Sequence, residues 1–189
     1  MEVRNVIVLT GFMGSGKSRI GRELAGRLAL PYLDLDEVIE KEEKMQIRDI
    51  FREKGEDYFR MAERNCFRRV LDRGPVVVAV GGGAIQQKEI RDLLHRYAIT
   101  VFLDVPEETL FERLKKDNKR PLLQDSRGKL LDDQMLRKRI SELLSQRKKQ
   151  YLQADIRVPV QPHWSRKQTT DELIRLLRKH APASFTDHN

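Results

Sequence analysis

The sequence has little cysteine and no long apolar run. Cys66 is the single cysteine among 189 residues, so an internal disulfide is excluded, and we expect a cytoplasmic protein in which Cys66 is a buried structural thiol on a helix. No apolar stretch approaches the roughly 18 residues that span a membrane, and the mean hydropathy is −0.60. The chain enters a predicted strand almost at once, so we expect no secretory signal.

Charge, by contrast, is plentiful and mostly positive. The chain carries 37 Lys and Arg against 29 Asp and Glu, a formal net charge of +8. Such an excess attracts nucleic acids or small anionic substrates. The basic residues are scattered among the acidic ones, without the interleaved aromatic residues of a groove that follows a nucleic-acid strand. We therefore expect small anions as partners, and neither nucleic acid nor membrane.

Residues 11–18 read Gly-Phe-Met-Gly-Ser-Gly-Lys-Ser and match the phosphate-binding P-loop pattern G-x-x-x-x-G-K-[ST]. A predicted strand at 4–10 precedes them and an amphipathic helix at 17–28 follows, which is the context that the motif requires. The loop N–H groups and the helix N-terminus favour a phosphate chain. The plain alternative is a glycine-rich turn with a surface lysine. The expected ATP-binding residues are Gly14, Ser15, Gly16, Lys17 and Ser18, with Lys17 on the outer phosphates and Ser18 on Mg²⁺.

Strands and helices alternate along the chain, which predicts a parallel sheet wound on both faces. The predicted strands are 4–10, 31–35, 76–80, 99–103 and 154–158. The predicted helices are 17–28, 37–73 in pieces broken at Gly55, 85–95, 107–115, 133–151 and 171–180. No linker or repeat divides the chain, so we expect a single domain over 1–180, followed by a polar tail at 181–189 that is disordered.

The segment 116–132 breaks this alternation. It is long, charged and without a pattern of regular structure, which is typical of a functional lid or of a solvated loop. A lid over a phosphate site needs cations. The segment offers Lys119, Arg120, Arg127 and Lys129.

Two carboxylates follow the second predicted strand. Alternation places the side chains of Asp34 and Asp36 on the same side of that strand, at the edge where doubly wound sheets bind ligands. One carboxylate can help to hold Mg²⁺ through water, and the other can take a proton from an attacking hydroxyl. Alternatively, Asp36 only caps a helix that begins at Glu37. Asp104 follows another strand and resembles a Walker B acid, but we prefer Asp34 for the metal because of the resemblance given below.

Three further features can form a site for the phosphate acceptor. Arg60 and Glu63 are i, i+3 neighbours, so Glu63 can orient the Arg60 guanidinium towards a carboxylate ligand, or the two form an ordinary surface ion pair. Arg139 borders the apolar stripe of its helix, so it reaches into a cleft or snorkels to solvent. The predicted strand 76–80, which is apolar throughout, is followed by Gly81, Gly82 and Gly83. These glycines either let a substrate lie against bare backbone or form a tight turn.

Together these motifs resemble those of the shikimate kinase family over nearly all of residues 4–160. The motifs that carry the resemblance are the P-loop beginning Gly-Phe-Met-Gly, Asp34-Leu35-Asp36, Phe59-Arg60 followed by Glu63, the three glycines, and Arg120-Pro121-Leu122. Arg139, and Arg147 followed by Tyr151, also match the family's spacing.

The resemblance implies a three-layer α/β P-loop kinase fold like that of nucleoside monophosphate kinases. Its parallel sheet has five strands in the order 2-3-1-4-5, with helices on both faces, a mobile lid at about 116–132 and substrate-binding helices at about 37–73. The implied shikimate-binding residues are Asp36, Arg60, Gly82 and Arg139, beside the flanking Gly81 and Gly83. The implied catalytic residues are Lys17, Asp36 and Arg120, of which Arg120 also belongs to the implied ATP-binding residues. Asp34 acts on Mg²⁺ through water, and Glu63 is in support.

The implied reaction transfers the γ-phosphoryl group of ATP to the 3-hydroxyl of shikimate, in the biosynthesis of chorismate and the aromatic amino acids, by an enzyme that we expect to be a monomer. Two other functions stay open. One is another small-metabolite kinase, such as a gluconate or nucleoside monophosphate kinase. The other is a nucleotide-sensing module without enzymatic activity that binds nucleic acid. Two arginines directed at a carboxylate favour an acid as the acceptor.

Overall fold

The computed structural model describes residues 4–117, 120–125 and 127–180. Five strands form a parallel sheet in the order β2-β3-β1-β4-β5. The strands are β1 (Val6–Thr10), β2 (Tyr32–Asp34), β3 (Val76–Ala79), β4 (Ala98–Asp104) and β5 (Ile156–Pro159). The strand order implied by the resemblance is therefore confirmed. The tail at 181–189, predicted to be disordered, lies outside the described residues.

Helices connect the strands, as the alternating pattern predicted. They are α1 (Lys17–Arg27), α2 (Leu35–Glu43), α3 (Ile47–Leu71), α4 (Lys88–Tyr97), α5 (Glu107–Leu114), α6 (Asp133–Tyr151) and α7 (Arg166–His180), with short 3-10 turns at Ala84–Gln86 and Pro121–Leu123. Gly55 interrupts α3 with φ 83° and ψ 170°, so the predicted break is confirmed. In the part of the chain that the structure describes, no helix has the length and apolar character needed to cross a membrane.

The sheet separates two hydrophobic cores. Side chains alternate across β1, so Ile7 and Leu9 belong to one core, with α1 and α7, while Val6 and Val8 belong to the other, with α3 and α4. Cys66 lies fully buried in the second core, as predicted. Helix α6 contributes residues of its first half to the first core and its last residue to the second. Its C-terminal half therefore passes from one face of the sheet to the other.

The last helix begins earlier than the sequence pattern predicted, at Arg166 instead of residue 171. Ser165 and Gln168 bond to each other reciprocally: Ser165 Oγ accepts from the Gln168 N–H at 3.2 Å, and Gln168 Oε1 accepts from the Ser165 N–H at 2.8 Å. This is a capping box, in which two otherwise unpaired N–H groups of a helix start gain acceptors. The prediction missed this start because it followed only the apolar stripe.

The segment 116–132 has more structure than its sequence indicated. Asp125 Oδ1 accepts hydrogen bonds of 2.9 Å from the N–H groups of Arg127 and Lys129, and Gln124 pairs with Leu130. The prediction of a segment without regular structure is therefore wrong for this turn, because the Asp125 carboxylate adds to backbone hydrogen bonds that already close it, such as that from the Asp125 N–H to the Lys129 carbonyl oxygen at 2.8 Å. Lys119, one of the predicted lid cations, lies outside the described residues. A mobile lid stays a prediction.

Candidate active site

A cavity of about 590 Å³ opens at the carboxyl edge of the sheet. The P-loop, the residues after β2 and those after β3 all contribute to its lining, as expected for a doubly wound sheet. Of the predicted site residues, those lining it are Gly14, Ser15, Gly16, Lys17, Ser18, Asp34, Asp36, Gly81, Gly82 and Arg120. The structure therefore brings the predicted donor-site residues together with both carboxylates.

The P-loop has the backbone conformation that a phosphate site requires. Gly14 and Gly16 have φ angles of 76° and 95°, a region that side chains disfavour. Gly16 is the N-cap of α1, and among the described residues no side chain accepts a hydrogen bond from the N–H groups that start this helix. The N–H groups of this turn are therefore available to an anion, which the helix N-terminus also attracts.

Lys17 lies along the loop, at the centre of the charges in the cavity. Its Nζ donates hydrogen bonds of 2.9 and 3.0 Å to the carbonyl oxygens of Gly11 and Phe12. Burial lowers the pKa of Lys17 to about 8. The charges that act on it belong to Asp36, Arg120, Asp34 and Arg147. The ammonium group is therefore within electrostatic reach of both carboxylates and of two arginines.

Asp34 joins the P-loop helix to the second strand. Its Oδ2 accepts hydrogen bonds from Ser18 Oγ at 2.7 Å and from the Tyr32 hydroxyl at 3.2 Å. A hydroxyl and a carboxylate side by side form a set of oxygen donors of the kind that Mg²⁺ uses when substrate phosphates and water complete its coordination. Within the described residues, no group of three or more His, Cys, Asp and Glu side chains could hold a metal ion. The adjacent oxygens of Ser18 and Asp34 fit an ion whose remaining ligands are phosphate oxygens and water.

Asp36 reaches the cavity from a helix and not from a strand. Strand β2 ends at Asp34, so the alternation argument does not apply to Asp36, which lies in the first turn of α2. Asp34 is the N-cap of that helix and accepts from the Asp36 N–H at 3.2 Å, so the alternative in which Asp36 is the cap is wrong. Burial raises the pKa of Asp36 to about 6, aided by the charge of Asp34. Asp36 is therefore a partly buried carboxyl at the cavity, whose pKa suits a proton acceptor.

Arg60 and Glu63 form a buried pair. Arg60 Nη1 donates a hydrogen bond of 2.8 Å to Glu63 Oε2, and the side chain of Glu63 is 0% exposed. The ordinary surface ion pair that was the alternative is therefore excluded. A methyl group on Gly83 would lie 2.8 Å from Arg60 Nη2. The guanidinium can occupy this position because Gly83 has no side chain.

The structure does not bring Arg139 to the cavity. Its side chain is 50% exposed, and its ion pair with Glu142 is 4.0 Å long. Arg139 flanks the buried stripe of α6, as predicted, but its side chain extends to solvent and does not line the cavity. That stripe runs through Leu136, Ile140, Leu143, Arg147 and Tyr151. Arg139 as a substrate-binding residue stays a prediction without a supporting contact.

Another arginine of α6, Arg147, lies beside the glycines that follow β3. It is 7% exposed, and its Nη1 lies 3.5 Å from the point that a methyl group on Gly82 would occupy. The Tyr151 hydroxyl, one turn further along α6, donates a hydrogen bond of 2.7 Å to the Gly82 carbonyl oxygen. Within residues 4–117, 120–125 and 127–180, Arg147 forms no ion pair with a carboxylate. A buried guanidinium without a counter-ion favours an anionic ligand.

Several residues of the cavity were not assigned from the sequence. Arg113 Nη1 donates a hydrogen bond of 2.9 Å to the Gly14 carbonyl oxygen, while Val160 and Trp164 line the cavity from the loop after β5. Their position after a parallel strand is a signal, since all carboxyl ends meet at one edge. Asp104 instead bonds to Arg157 at 2.7 Å and does not line the cavity, in agreement with the preference for Asp34.

This fold and this site define a P-loop kinase: a parallel sheet in the order 2-3-1-4-5 with a phosphate-binding loop after its central strand. The family model described as shikimate kinase matches residues 13–178. A shikimate kinase of Persephonella marina is 43% identical over 172 residues, which cover 91% of this chain and 98% of that protein. The chain belongs to the shikimate kinase family, and it is an ATP-dependent small-molecule kinase.

Solved structures agree with this assignment. The shikimate kinase from Acinetobacter baumannii, solved in complex with shikimate, has a TM-score of 0.84 at 30% identity, over 95% of this chain and 96% of that one. A gluconokinase from Sinorhizobium meliloti 1021 covers 100% of both chains, with a TM-score of 0.57 and 21% identity. The gluconokinase likeness shows the shared fold alone, so it gives no support to gluconate as the acceptor.

Proposed function

We propose that the chain transfers the γ-phosphoryl group of ATP to the 3-hydroxyl of shikimate, giving shikimate 3-phosphate and ADP on the route to chorismate and the aromatic amino acids. The observation that carries the proposal is the presence of Lys17 and Asp36 in one cavity. A phosphate-binding ammonium and a carboxyl able to take a proton are what phosphoryl transfer to a hydroxyl needs. Family membership, and a relative solved with shikimate, support the acceptor.

On the donor side, the P-loop N–H groups hold the phosphates of ATP. Lys17 and Arg120 offset the charge of the transferring group, because both are cations that line the cavity and lie within electrostatic reach of each other. Arg120 is 46% exposed and bonds to Asp117 at 3.3 Å, so it can turn towards a nucleotide. Ser18 would hold Mg²⁺, and Asp34, hydrogen-bonded to Ser18, would help to hold it. When bound, the ion neutralises charge on the phosphates.

On the acceptor side, Asp36 orients the attacking hydroxyl and takes its proton as the new oxygen–phosphorus bond forms. The carboxylate of the acceptor lies between Arg60 and Arg147. Gly81 and Gly82 supply bare backbone against which the ring can pack. Arg147 replaces Arg139 in this assignment because its guanidinium is buried beside Gly82.

We also propose the remaining features of the protein. Residues 1–180 act as one kinase domain, in which the segment 116–132 closes over the phosphates and excludes water, and the helices within 37–73 carry the acceptor site. We further propose that the protein acts as a monomer. A single buried cysteine suits the cytoplasm.

The test is ADP release from ATP and Mg²⁺ with shikimate, gluconate or a nucleoside monophosphate as the acceptor. We expect turnover with shikimate alone. Lys17→Met is the matched control, because it removes the ammonium while keeping the length of the side chain; it should fold normally and lose turnover by orders of magnitude. Turnover with gluconate or a nucleoside monophosphate but not with shikimate would refute the proposed acceptor.

A further inference from the structure

A line of polar side chains lies behind Arg60 and joins α3 to the start of α4. Glu63 Oε2 accepts two hydrogen bonds, one from Arg60 Nη1 at 2.8 Å and one from Gln87 Nε2 at 2.6 Å. Arg64 Nη1 donates a hydrogen bond of 2.6 Å to Gln87 Oε1. Gln87 is therefore the link between a buried carboxylate and a second guanidinium.

The amide of Gln87 suits this link because it carries a donor and an acceptor. Its NH₂ group donates to the Glu63 carboxylate, and its oxygen accepts from the Arg64 guanidinium. Both ends of the amide are therefore hydrogen-bonded to a group of complementary charge. Glu63 is fully buried, which makes a lost hydrogen bond costly since water cannot replace it. The second donor therefore fixes the Glu63 carboxylate, and with it the direction of the Arg60 bond.

The backbone of Gln87 is held on both sides. Its N–H donates to the Ala84 carbonyl oxygen at 3.1 Å, and its own carbonyl oxygen accepts from the Arg91 N–H at 3.2 Å. Gln87 ends the short segment that begins with the three glycines, and Gly83 of that segment lies against the Arg60 guanidinium. The segment thus meets Arg60 twice, through the bare backbone of Gly83 and through the side chain of Gln87.

We propose that Gln87 is a positioning residue of the acceptor site, whose amide holds Glu63 and thereby orients the Arg60 guanidinium towards the carboxylate of the acceptor. The proposal rests on the proposed function, in which Arg60 binds that carboxylate. Gln87 does not itself touch the acceptor. Loss of the Gln87 amide should therefore weaken acceptor binding and leave the transfer step and ATP binding unchanged.

The test variant is Gln87→Met, which keeps the length of the side chain and removes both hydrogen bonds. We expect the KM for shikimate to rise about three- to tenfold, since a hydrogen bond to a charged group is lost one residue away from the ligand. The kcat and the KM for ATP should stay within about twofold of the wild type. Gln86→Met is the matched control: Gln86 is the exposed neighbour, and its replacement should leave all three constants unchanged.

A double mutant separates this inference from the proposed function. Arg60→Ala should raise the KM for shikimate, and adding Gln87→Met to it should cause no further rise, because Gln87 acts only through Arg60. If Arg60→Ala raises this KM and Gln87→Met does not, the role of Gln87 is refuted while the acceptor site stands. If Arg60→Ala leaves it unchanged, both fail. Gln87→Glu, which places a carboxylate against Glu63, should raise the same KM at least as much as Gln87→Met; a wild-type KM in that variant would also refute the role.

Discussion

Asp36 and Glu63 face each other across Gly81. A methyl group on Gly81 would lie 3.0 Å from Asp36 Oδ1 and 3.0 Å from Glu63 Oε1, so the two carboxyl groups border the same small space. Glu63 Oε1 is buried and has no hydrogen-bond partner among the described residues. Burial raises the pKa of Glu63 to about 7, and the charge of Asp36 adds to the rise. The acceptor site therefore contains a carboxyl group that is costly to ionise in the folded protein.

This cost predicts a pH dependence of stability. A carboxyl whose pKa is raised on folding stabilises the protein when it is protonated, so its contribution is complete below its ordinary pKa of 4.5 and is lost as the pH rises to about 7. Relative to Glu63→Gln, the free energy of unfolding of the wild type should fall across this window by on the order of 3 kcal/mol. Urea unfolding of both proteins from pH 4.5 to 7.5 measures the difference.

Glu56→Gln is the control for this experiment. Glu56 also bonds to Arg60, at 3.1 Å, but its side chain is 63% exposed. The difference in unfolding free energy between the wild type and Glu56→Gln should change little with pH over the same range. A wild-type to Glu63→Gln difference that is equally constant would show that Glu63 is not the buried titrating group.

The variants Asp34→Asn and Asp36→Asn should lose activity in different ways. Asp36→Asn removes the proton acceptor, so turnover should fall severely at every Mg²⁺ concentration. Asp34→Asn weakens only a water-mediated contact with the ion, so added Mg²⁺ should restore part of the activity. Turnover measured against Mg²⁺ concentration, with ATP and shikimate saturating, distinguishes the two. Rescue of Asp36→Asn but not of Asp34→Asn would reverse the proposed roles.

The parts of the fold that the sequence predicts well are those set by short-range patterns. The run Val76–Ala79 is apolar and β-branched throughout, and it forms a strand buried on both faces. The P-loop motif predicts a strand before the loop and a helix after it, because phosphate binding requires that arrangement. The order of the strands came from the family resemblance, since pairing between distant strands leaves no local pattern.

The parts that were missed depend on where an element lies in the folded chain. Arg139 and Arg147 belong to the same helix and both have apolar neighbours in sequence. Arg147 lies beside Gly82, and Arg139 lies at the surface, because α6 passes from one core to the other along its length. The apolar stripe did contain the signal, because Arg147 continues the spacing of Ile140 and Leu143. A charged residue on an apolar stripe was the clue to follow.

The capping box of α7 gives a prediction about stability alone. Ser165→Ala removes the side-chain oxygen that accepts from the Gln168 N–H, so the free energy of unfolding should fall by about 1 kcal/mol. Ser165 also borders none of the proposed acceptor residues, so the KM for shikimate should be that of the wild type. Chemical unfolding together with the kinetic assay checks both. An unchanged unfolding midpoint would show that the Ser165 hydroxyl does not stabilise the start of α7.

Arg147 and Arg139 provide a matched pair on one helix for the last prediction. Arg147→Met should weaken shikimate binding about 10- to 100-fold, because it removes charge-assisted hydrogen bonds to the acceptor carboxylate. Without ligand, the same variant should be at least as stable as the wild type, because Arg147 is buried without a carboxylate partner among the described residues. The Tyr151 hydroxyl and the Phe12 ring beside it compensate its desolvation only in part. Arg139→Met should change neither quantity. Calorimetric binding of shikimate and urea unfolding measure the two effects; weaker binding in Arg139→Met with normal binding in Arg147→Met would restore the assignment made from the sequence.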